Sequence, residues 1–243
     1  MAEIMSEHIV ERAIIMAAGI GQRLRPVTLT TPKPLVTVNG VCMIDTIIPA
    51  LHKNGIHEIY VVVGYLKEQF YKWAKTYSGV TLIENPWYAE CNNIASLYVA
   101  REYLNNAIIL DGDQIIRNPA ILHREFTRSG YSCAWTDSYT NEWLLTVENG
   151  IVTKCSRTGG DHGWQLFSVS RWTAEDGQRL RNHLELEFVQ NQNRNIYWDD
   201  VAVFCHPDEY QLGVYPISEK DLREIDSFTE LCEADPSYKG GFN

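Results

Sequence analysis

The sequence predicts an α/β fold: a mixed, mainly parallel sheet flanked by helices, with an added antiparallel hairpin region. Three observations carry this. Short apolar runs alternate with amphipathic segments through the first half of the chain, an order that gives parallel strands joined by right-handed crossovers. The first apolar run ends in a glycine turn, and ligands of open α/β sheets sit outside the carboxyl ends of the strands, so the arrangement is Rossmann-like. From Tyr131 onward the pattern changes to alternating runs broken by turns, the period of half-buried antiparallel strands.

The elements follow in order. Residues 13–17 (AIIMA) are apolar throughout, as a strand buried on both faces requires, and Gly19 and Gly21 end the run. Met43–Lys53 (MIDTIIPALHK) has helical spacing and stops at Asn54-Gly55, a suitable C-terminal cap. Glu58–Val63 (EIYVVV) reads as a second strand, residues 66–77 as a helix, and residues 80–83 as a third strand. Asn85-Pro86 marks a loop before a helix that begins near Asn92 or Asn93. Residues 107–113 (AIILDGD) form a strand ending in two carboxylates, and alternation sends Asp111 and Asp113 the same way if the strand continues. The runs YSCAWTD, WLLTVENGIVTKCS and WQLFSVS supply the antiparallel strands, with Asn149-Gly150 a hairpin turn. A helix over 173–187 follows. No repeat or linker divides the chain, so residues 1–243 read as one domain.

Composition narrows the function. With 45% hydrophobic and 21% charged residues the chain has the balance of a globular protein. A formal net charge of -10 argues against a duplex nucleic-acid partner, which selects a cationic surface. The six cysteines form no C-x-x-C pair and no zinc-like cluster with the seven histidines, so free thiols are expected. The opening MAEIMSEHIVER carries acids where a signal peptide carries a basic region, and no apolar run approaches the roughly 20 residues that span a bilayer. A cytoplasmic location without membrane insertion is expected.

The chemistry concentrates in AIIMAAGIGQRLRPVTLTTPKPL, residues 13–35. Glycines at 19 and 21 let the backbone approach a bulky anion, the exposed N–H groups of such a turn form an anion-binding concavity, and Arg23 and Lys33 add charge. Leu24 occupies the third glycine position of the dinucleotide fingerprint, and no Walker motif occurs. The plain alternative is a glycine turn with solvated cations; Arg23 and the proline-flanked Lys33 at this spacing favour a triphosphate site. Asn85, Asn92, Asn93 and Ser96 are either helix caps or contacts to base and ribose. Asp111 and Asp113 are either turn formers or, beside a triphosphate loop, ligands suited to Mg²⁺.

The residues A-A-G-x-G-x-R-L at 17–24 and T-P-K-P at 31–34 resemble the signature of the sugar-phosphate type nucleotidyltransferases, whose fold is that of the nucleotide-diphospho-sugar transferases. Within them, GIGQRLRPVTLTTPKPLV, GYLKEQF, CNNIASLY, TNEW, YWD and EIDS resemble the bacterial CTP:phosphocholine cytidylyltransferases over nearly the whole chain. The resemblance implies transfer of CMP from CTP to phosphocholine with Mg²⁺ as cofactor. It implies Asp113 and Asp226 as metal ligands, with Lys33 and Arg23 as catalytic cations, and a nucleotide site at Ala17, Ala18, Gly19, Gly21, Arg23, Lys33, Asn85, Asn92, Asn93, Ser96 and Asp111. Without the resemblance, Asp226 reads as the cap of a helix starting at Ser227. Gly112 and Gln114 fall where the family varies, and the unusual composition of the segment SRTGGDHG at 156–163 keeps a pyrophosphate-binding role from being carried over to Lys154 or Arg157.

The aromatics support a choline acceptor separately. A trimethylammonium group has no N–H to donate, so ring faces and nearby carboxylates must hold it. Glu142 beside Trp143, and Tyr197-Trp198 beside Asp199, offer both ingredients, although Trp and Tyr are also ordinary core residues. The same mechanism serves 2-aminoethylphosphonate or a sugar 1-phosphate, and a nucleotide-binding regulator without turnover is a further class.

Overall fold

The computed structural model describes residues 8–240; most of the acidic opening segment, residues 1–7, lies outside them. A nine-stranded sheet contains β1 (Arg12–Ala17), β2 (Glu58–Val63), β3 (Val80–Glu84), β4 (Ala107–Asp111), β5 (Gly130–Thr136), β6 (Leu144–Glu148), β7 (Ile151–Ser156), β8 (Gly163–Trp172) and β9 (Gly213–Pro216). The order is β7-β6-β8-β4-β1-β2-β3, with β5 along the other edge of β8 and β9 beside β5. Strands β4, β1, β2 and β3 are parallel, while β8 enters antiparallel to β4. The mixed α/β sheet is therefore the expected one, and β9 is an element that its short, unpatterned sequence did not announce.

Strand β1 shows why its run is apolar without alternation. Ala13, Ile15 and Ala17 face one core, with Ile47 of α1 (Met43–Lys53) and Phe70 of α2 (Glu68–Ala74). Ile14 and Met16 face the other, with Leu97 of α3 (Ile94–Val99) and Leu184 of α4 (Ala174–Glu185). Each fully buried aliphatic side chain contributes about 1.5–3 kcal/mol, so both faces anchor the strand and fix where its carboxyl end opens.

Local chemistry sets the element ends. Helix α1 stops at Asn54, and Gly55 takes the left-handed conformation (φ 75°) that follows a helix end at least cost. Helix α2 is shorter than the expected 66–77: Leu66 adopts a positive φ of 51°, which delays its start to Glu68, and the helix ends at Ala74. The β6–β7 hairpin turns at Asn149 and Gly150, both with φ > 0, as a primed two-residue turn demands. Thr173 caps α4 by accepting from the Asp176 amide, and π-helical turns follow at Leu186–Gln190 and Val201–Cys205. A short pair, Gln114–Ile116 with Leu222–Glu224, carries the late acids to the end of β4. Helix α5 (Phe228–Ala234) is capped by Ser227 in a capping box with Glu230, which leaves the Asp226 carboxylate free of capping duty.

Candidate active site

Behind the carboxyl ends of β1 and β4 runs a cleft whose parts share Lys33, Asp111 and Asp113. Gly21 opens one side of it with φ 67°; a Cβ there would stand 3.0 Å from Thr28 Cγ2 and 3.1 Å from Lys33 Cβ, so the loop closes onto Lys33 only with glycine. The Thr28 hydroxyl fastens it by donating to the Gly21 carbonyl at 2.7 Å. Backbone around Gly19 is open, with nothing within 4 Å of a would-be Cβ, as an approaching ligand requires.

The cations and acids meet as charges. Lys33 Nζ donates to Asp113 Oδ2 and, at 2.9 Å, to Asp226 Oδ1, while Arg23, largely exposed, reaches the same Asp226 oxygen at 3.1 Å. Burial alone would lower the Lys33 pKa, but Asp113 and Asp226 override it and raise it. Burial likewise pushes Asp226 up, and Lys33 and Arg23 bring it below the usual carboxylate range. The other acids lack such partners. Asp111 is driven well up by burial and by Asp113 and Asp199. Glu224 is raised to about 8 by burial and the neighbouring acids, although it accepts from Gln114 Nε2 at 2.8 Å. Asp199 is raised to about 7 by burial and, further, by neighbouring Asp200, and its Oδ1 has no hydrogen-bond partner among the described residues. Among the described residues, six carboxylates line this part of the cleft, with Arg23 and Lys33 the two cations against them. Such an excess of acid facing a polyphosphate-sized groove fits a bound cation, for which Asp113 and Asp226 are the accessible ligands.

Of the nucleotide residues expected from sequence, Ala17, Ala18, Gly19, Gly21, Lys33, Asn93, Ser96 and Asp111 line one lobe, and Arg23 lies at the adjoining edge. Asn85 is buried beneath it, donating to the Ser96 hydroxyl at 3.0 Å and accepting from the Trp87 amide. Asn92 lies outside this lining: its amide donates to the Asn195 carbonyl and its oxygen accepts from the Asn93 amide, so it ties two chain segments together. Asn93 precedes α3 without capping it by a side-chain bond; its Oδ1 instead accepts from the Trp198 amide at 2.8 Å.

Glu142, Trp143, Tyr197 and Asp199 line the other lobe. The Trp143 and Tyr197 rings stand edge to face, 5.9 Å apart at 89°. Burial raises the Glu142 carboxyl, as does nearby Asp226. Trp198 corrects the sequence reading. It is 1% exposed and packs against Tyr131 and Trp172 in the core, because the turn that presents Tyr197 sends the next side chain inward. Arg157 lies behind the rings, paired with buried Asp200 and stacked 3.7 Å from the centre of the Phe204 ring. Sequence reasoning passed over Leu166 and Ser168, which line the same lobe from β8; their alternate positions in WQLFSVS put them on one face.

The six cysteines are free thiols. No described helix is long and apolar enough to cross a membrane.

Comparison with known proteins shows the family and the fold. Residues 12–130 match the family model described as nucleotidyl transferase. The chain is 37% identical over 229 residues to a 2-aminoethylphosphonate cytidylyltransferase of Lancefieldella rimae, covering 93% of this chain and 92% of that one. It is 35% identical to a choline-phosphate cytidylyltransferase of Streptococcus pneumoniae, covering 94% and 98%. The solved structure of a CTP:phosphocholine cytidylyltransferase from Streptococcus pneumoniae superposes with a TM-score of 0.84 at 33% identity, over 93% of this chain and 98% of that chain.

Proposed function

Because this chain belongs to the nucleotidyl transferase family, among its cytidylyltransferases, we propose that it transfers CMP from CTP to phosphocholine, giving CDP-choline and pyrophosphate. The observation that carries the choice of acceptor is the orthogonal pair of Trp143 and Tyr197 beside Glu142 and Asp199. Ring faces attract a quaternary ammonium, by about 0.5–1 kcal/mol where exposed and about 2 where desolvated, and the acids supply countercharge.

In this reading the CTP triphosphate lies along the Gly19–Gly21 turn with Arg23 on its β and γ phosphates. An acceptor phosphate oxygen attacks the α-phosphorus, the bond to the bridging oxygen breaks, and pyrophosphate leaves with that electron pair. Lys33, held between lobes, stabilises charge as it develops on the α-phosphate oxygens. Reaction of this kind depends on alignment and neutralisation more than on a protein nucleophile. Asp113 and Asp226 would hold Mg²⁺, which supplies Lewis-acid charge neutralisation at the phosphates. The presence of these four groups together favours turnover over a regulatory role.

One observation favours a second acceptor. Asp199 is buried with an oxygen lacking a partner among the described residues, and a primary ammonium, unlike trimethylammonium, can donate to it. With two ring faces in the lobe, 2-aminoethylphosphonate is the competing substrate. Measuring kcat/KM with CTP for phosphocholine, 2-aminoethylphosphonate, phosphoethanolamine and hexose 1-phosphates decides: phosphocholine should lead, and a lead by aminoethylphosphonate would transfer the assignment to it.

A further inference from the structure

Away from the cleft, two histidines that show no metal-binding spacing in sequence come face to face. His183 lies in the last turn of α4 and His206 just beyond the turn Val201–Cys205; their rings stack with centroids 3.8 Å apart and planes 11° from parallel. The outer nitrogen of each ring is engaged. His206 Nε2 is 3.0 Å from Glu187 Oε1, and His183 Nδ1 is 2.8 Å from the Tyr210 hydroxyl. Burial would raise the Glu187 carboxyl, but hydrogen bonds from Asn193, Asn191 and His206 bring it below its ordinary value, so it is an anion that can only accept. His206 Nε2 therefore carries its hydrogen, and in the neutral ring Nδ1 is a bare lone pair.

That lone pair faces another carboxylate. Glu209 Oε1 lies 3.6 Å from His206 Nδ1 and Glu209 Oε2 lies 3.3 Å from His183 Nε2. The three ligand atoms lie within 4.8 Å of one another. The two contacts are long for hydrogen bonds and run to different oxygens of one carboxylate; rotation of the exposed Glu209 side chain would bring a single oxygen between the two nitrogens, toward the edge of about 3.3–3.4 Å in a tetrahedron whose metal–ligand bonds are about 2.0–2.1 Å.

We propose that His183 Nε2, His206 Nδ1 and a Glu209 carboxylate oxygen form a Zn²⁺ site, completed by water. Two imidazoles and one carboxylate suit zinc, whereas magnesium and calcium favour oxygen donors. Engagement of the outer nitrogens by Glu187 and Tyr210 is the support that metal-bound histidines use to fix tautomer and ring orientation. For both lone pairs to meet one ion the rings open from their stack, and Glu209, 53% exposed on its side chain, swings in to follow. The ion would tie the end of α4 to the segment that begins at Asp199 of the acceptor lobe. Arg179, the nearby cation, is occupied by Glu175 and Asp176. The site stands apart from the acceptor assignment.

The test titrates Zn²⁺ into the metal-stripped full chain against a chromophoric zinc chelator, in excess Mg²⁺ to keep the cleft acids occupied, with Co²⁺ absorption as a second readout. One equivalent should bind, with the visible bands of tetrahedral Co²⁺. Cys205→Ser, which removes the exposed neighbouring thiol, should bind as wild type. Glu209→Gln, an exposed change with little folding risk, should weaken binding at least about 10-fold, the scale at which even supporting residues act, and His206→Gln should abolish it. A wild-type chain that binds no more zinc than His183→Gln/His206→Gln overturns the site. So does Glu209→Gln binding unchanged, or loss of binding in Cys205→Ser.

Discussion

Lys33 Nζ and Asp226 Oδ1 are joined at 2.9 Å although 193 residues separate them in the chain. The contact fastens the loop after β1 to the short strand before α5, and the same ammonium donates to Asp113 at the end of β4. Lysine at this point is a buried charge held by two acids, available to a phosphate that displaces one of them. Lys33→Ala should lower kcat at least about 10²-fold, the scale of losing one preorganised charge-stabilising group. Kinetics across a range of CTP concentrations, with single-turnover rates at saturation, check this; a change confined to KM for CTP would assign Lys33 to ground-state binding instead.

The excess of acid in the cleft leads to the second expectation. Chelation of divalent ions should stop turnover, Mg²⁺ should restore it, and Asp113→Asn or Asp226→Asn should remove most of the Mg²⁺-dependent rate while leaving the thermal unfolding midpoint near that of wild type. Removing either acid also frees Lys33 from one partner, so the variants should be assayed across Mg²⁺ concentration. A rate independent of Mg²⁺ in wild type, or an unchanged Mg²⁺ response in both variants, would leave the two acids as anchors for Lys33 alone.

A third expectation concerns pH. Asp199 in the folded chain titrates near 7, against an ordinary carboxyl value of 3.8. Between those values the unfolded chain has lost a proton that the folded chain keeps, so stability contributed here falls as pH rises from about 4 to 7. Glu224, raised to about 8, acts with the same sign over a window that reaches higher. Asp199→Asn should therefore flatten the decline in urea midpoint between pH 5 and pH 8 measured without divalent ions. Parallel wild-type and variant curves would show that Asp199 is ionised throughout.

Much of this architecture was legible because the residues that build it act locally. The apolar run of β1, the Asn54-Gly55 stop and the Asn149-Gly150 hairpin each follow from the backbone preferences of a few adjacent residues, and the structure has all three. The rest depends on which distant segments meet. By position alone Asp226 reads as the cap of the helix that follows; Ser227 takes that cap, in a box with Glu230, and Asp226 enters the cleft instead. Trp198 and Tyr197 are neighbours with similar chemistry, and only the turn they occupy sends one to the lobe and the other to the core. The His183–His206 stack joins residues 23 apart through a π-helical turn, for which no spacing rule exists.

That division yields a fourth expectation. Trp198→Ala should cost about 3–5 kcal/mol of stability, as removal of a large core aromatic does, with acceptor KM little changed in the folded fraction. Trp143→Ala should do the reverse, lowering kcat/KM for phosphocholine roughly 5- to 30-fold, equivalent to about 1–2 kcal/mol of cation–π attraction, with CTP saturation unchanged. Urea denaturation beside steady-state kinetics on both variants checks the pair. An acceptor-specific loss in Trp198→Ala at wild-type stability would return that ring to the site.

The last expectation follows from Arg157, in the compositionally unusual segment SRTGGDHG. Its guanidinium pairs with buried Asp200, stacks on Phe204 at 3.7 Å and stands 5.8 Å from the centre of the Trp143 ring. Phe204 meets Trp143 edge to face at 5.4 Å, and Asp200 accepts from the Tyr197 amide at 2.9 Å. One side chain thus supports both rings of the acceptor lobe from behind, and its planar fork suits stacking and pairing at once, which an ammonium cannot do. Arg157→Ala should raise KM for the acceptor roughly 10-fold with little effect on kcat at saturation or on KM for CTP, because it loosens ring placement without touching the phosphates. Arg157→Lys should recover only part of this, since it keeps the charge on Asp200 and loses the flat contact with Phe204. Asp200→Asn should resemble Arg157→Ala, with a double variant close to either single one if the two act as a unit. Head-group selectivity, measured as the ratio of kcat/KM for phosphocholine and phosphoethanolamine, gives the independent readout. A ratio unchanged in Arg157→Ala while wild type discriminates would refute the support role, and a wild type without discrimination would instead refute the aromatic acceptor lobe itself.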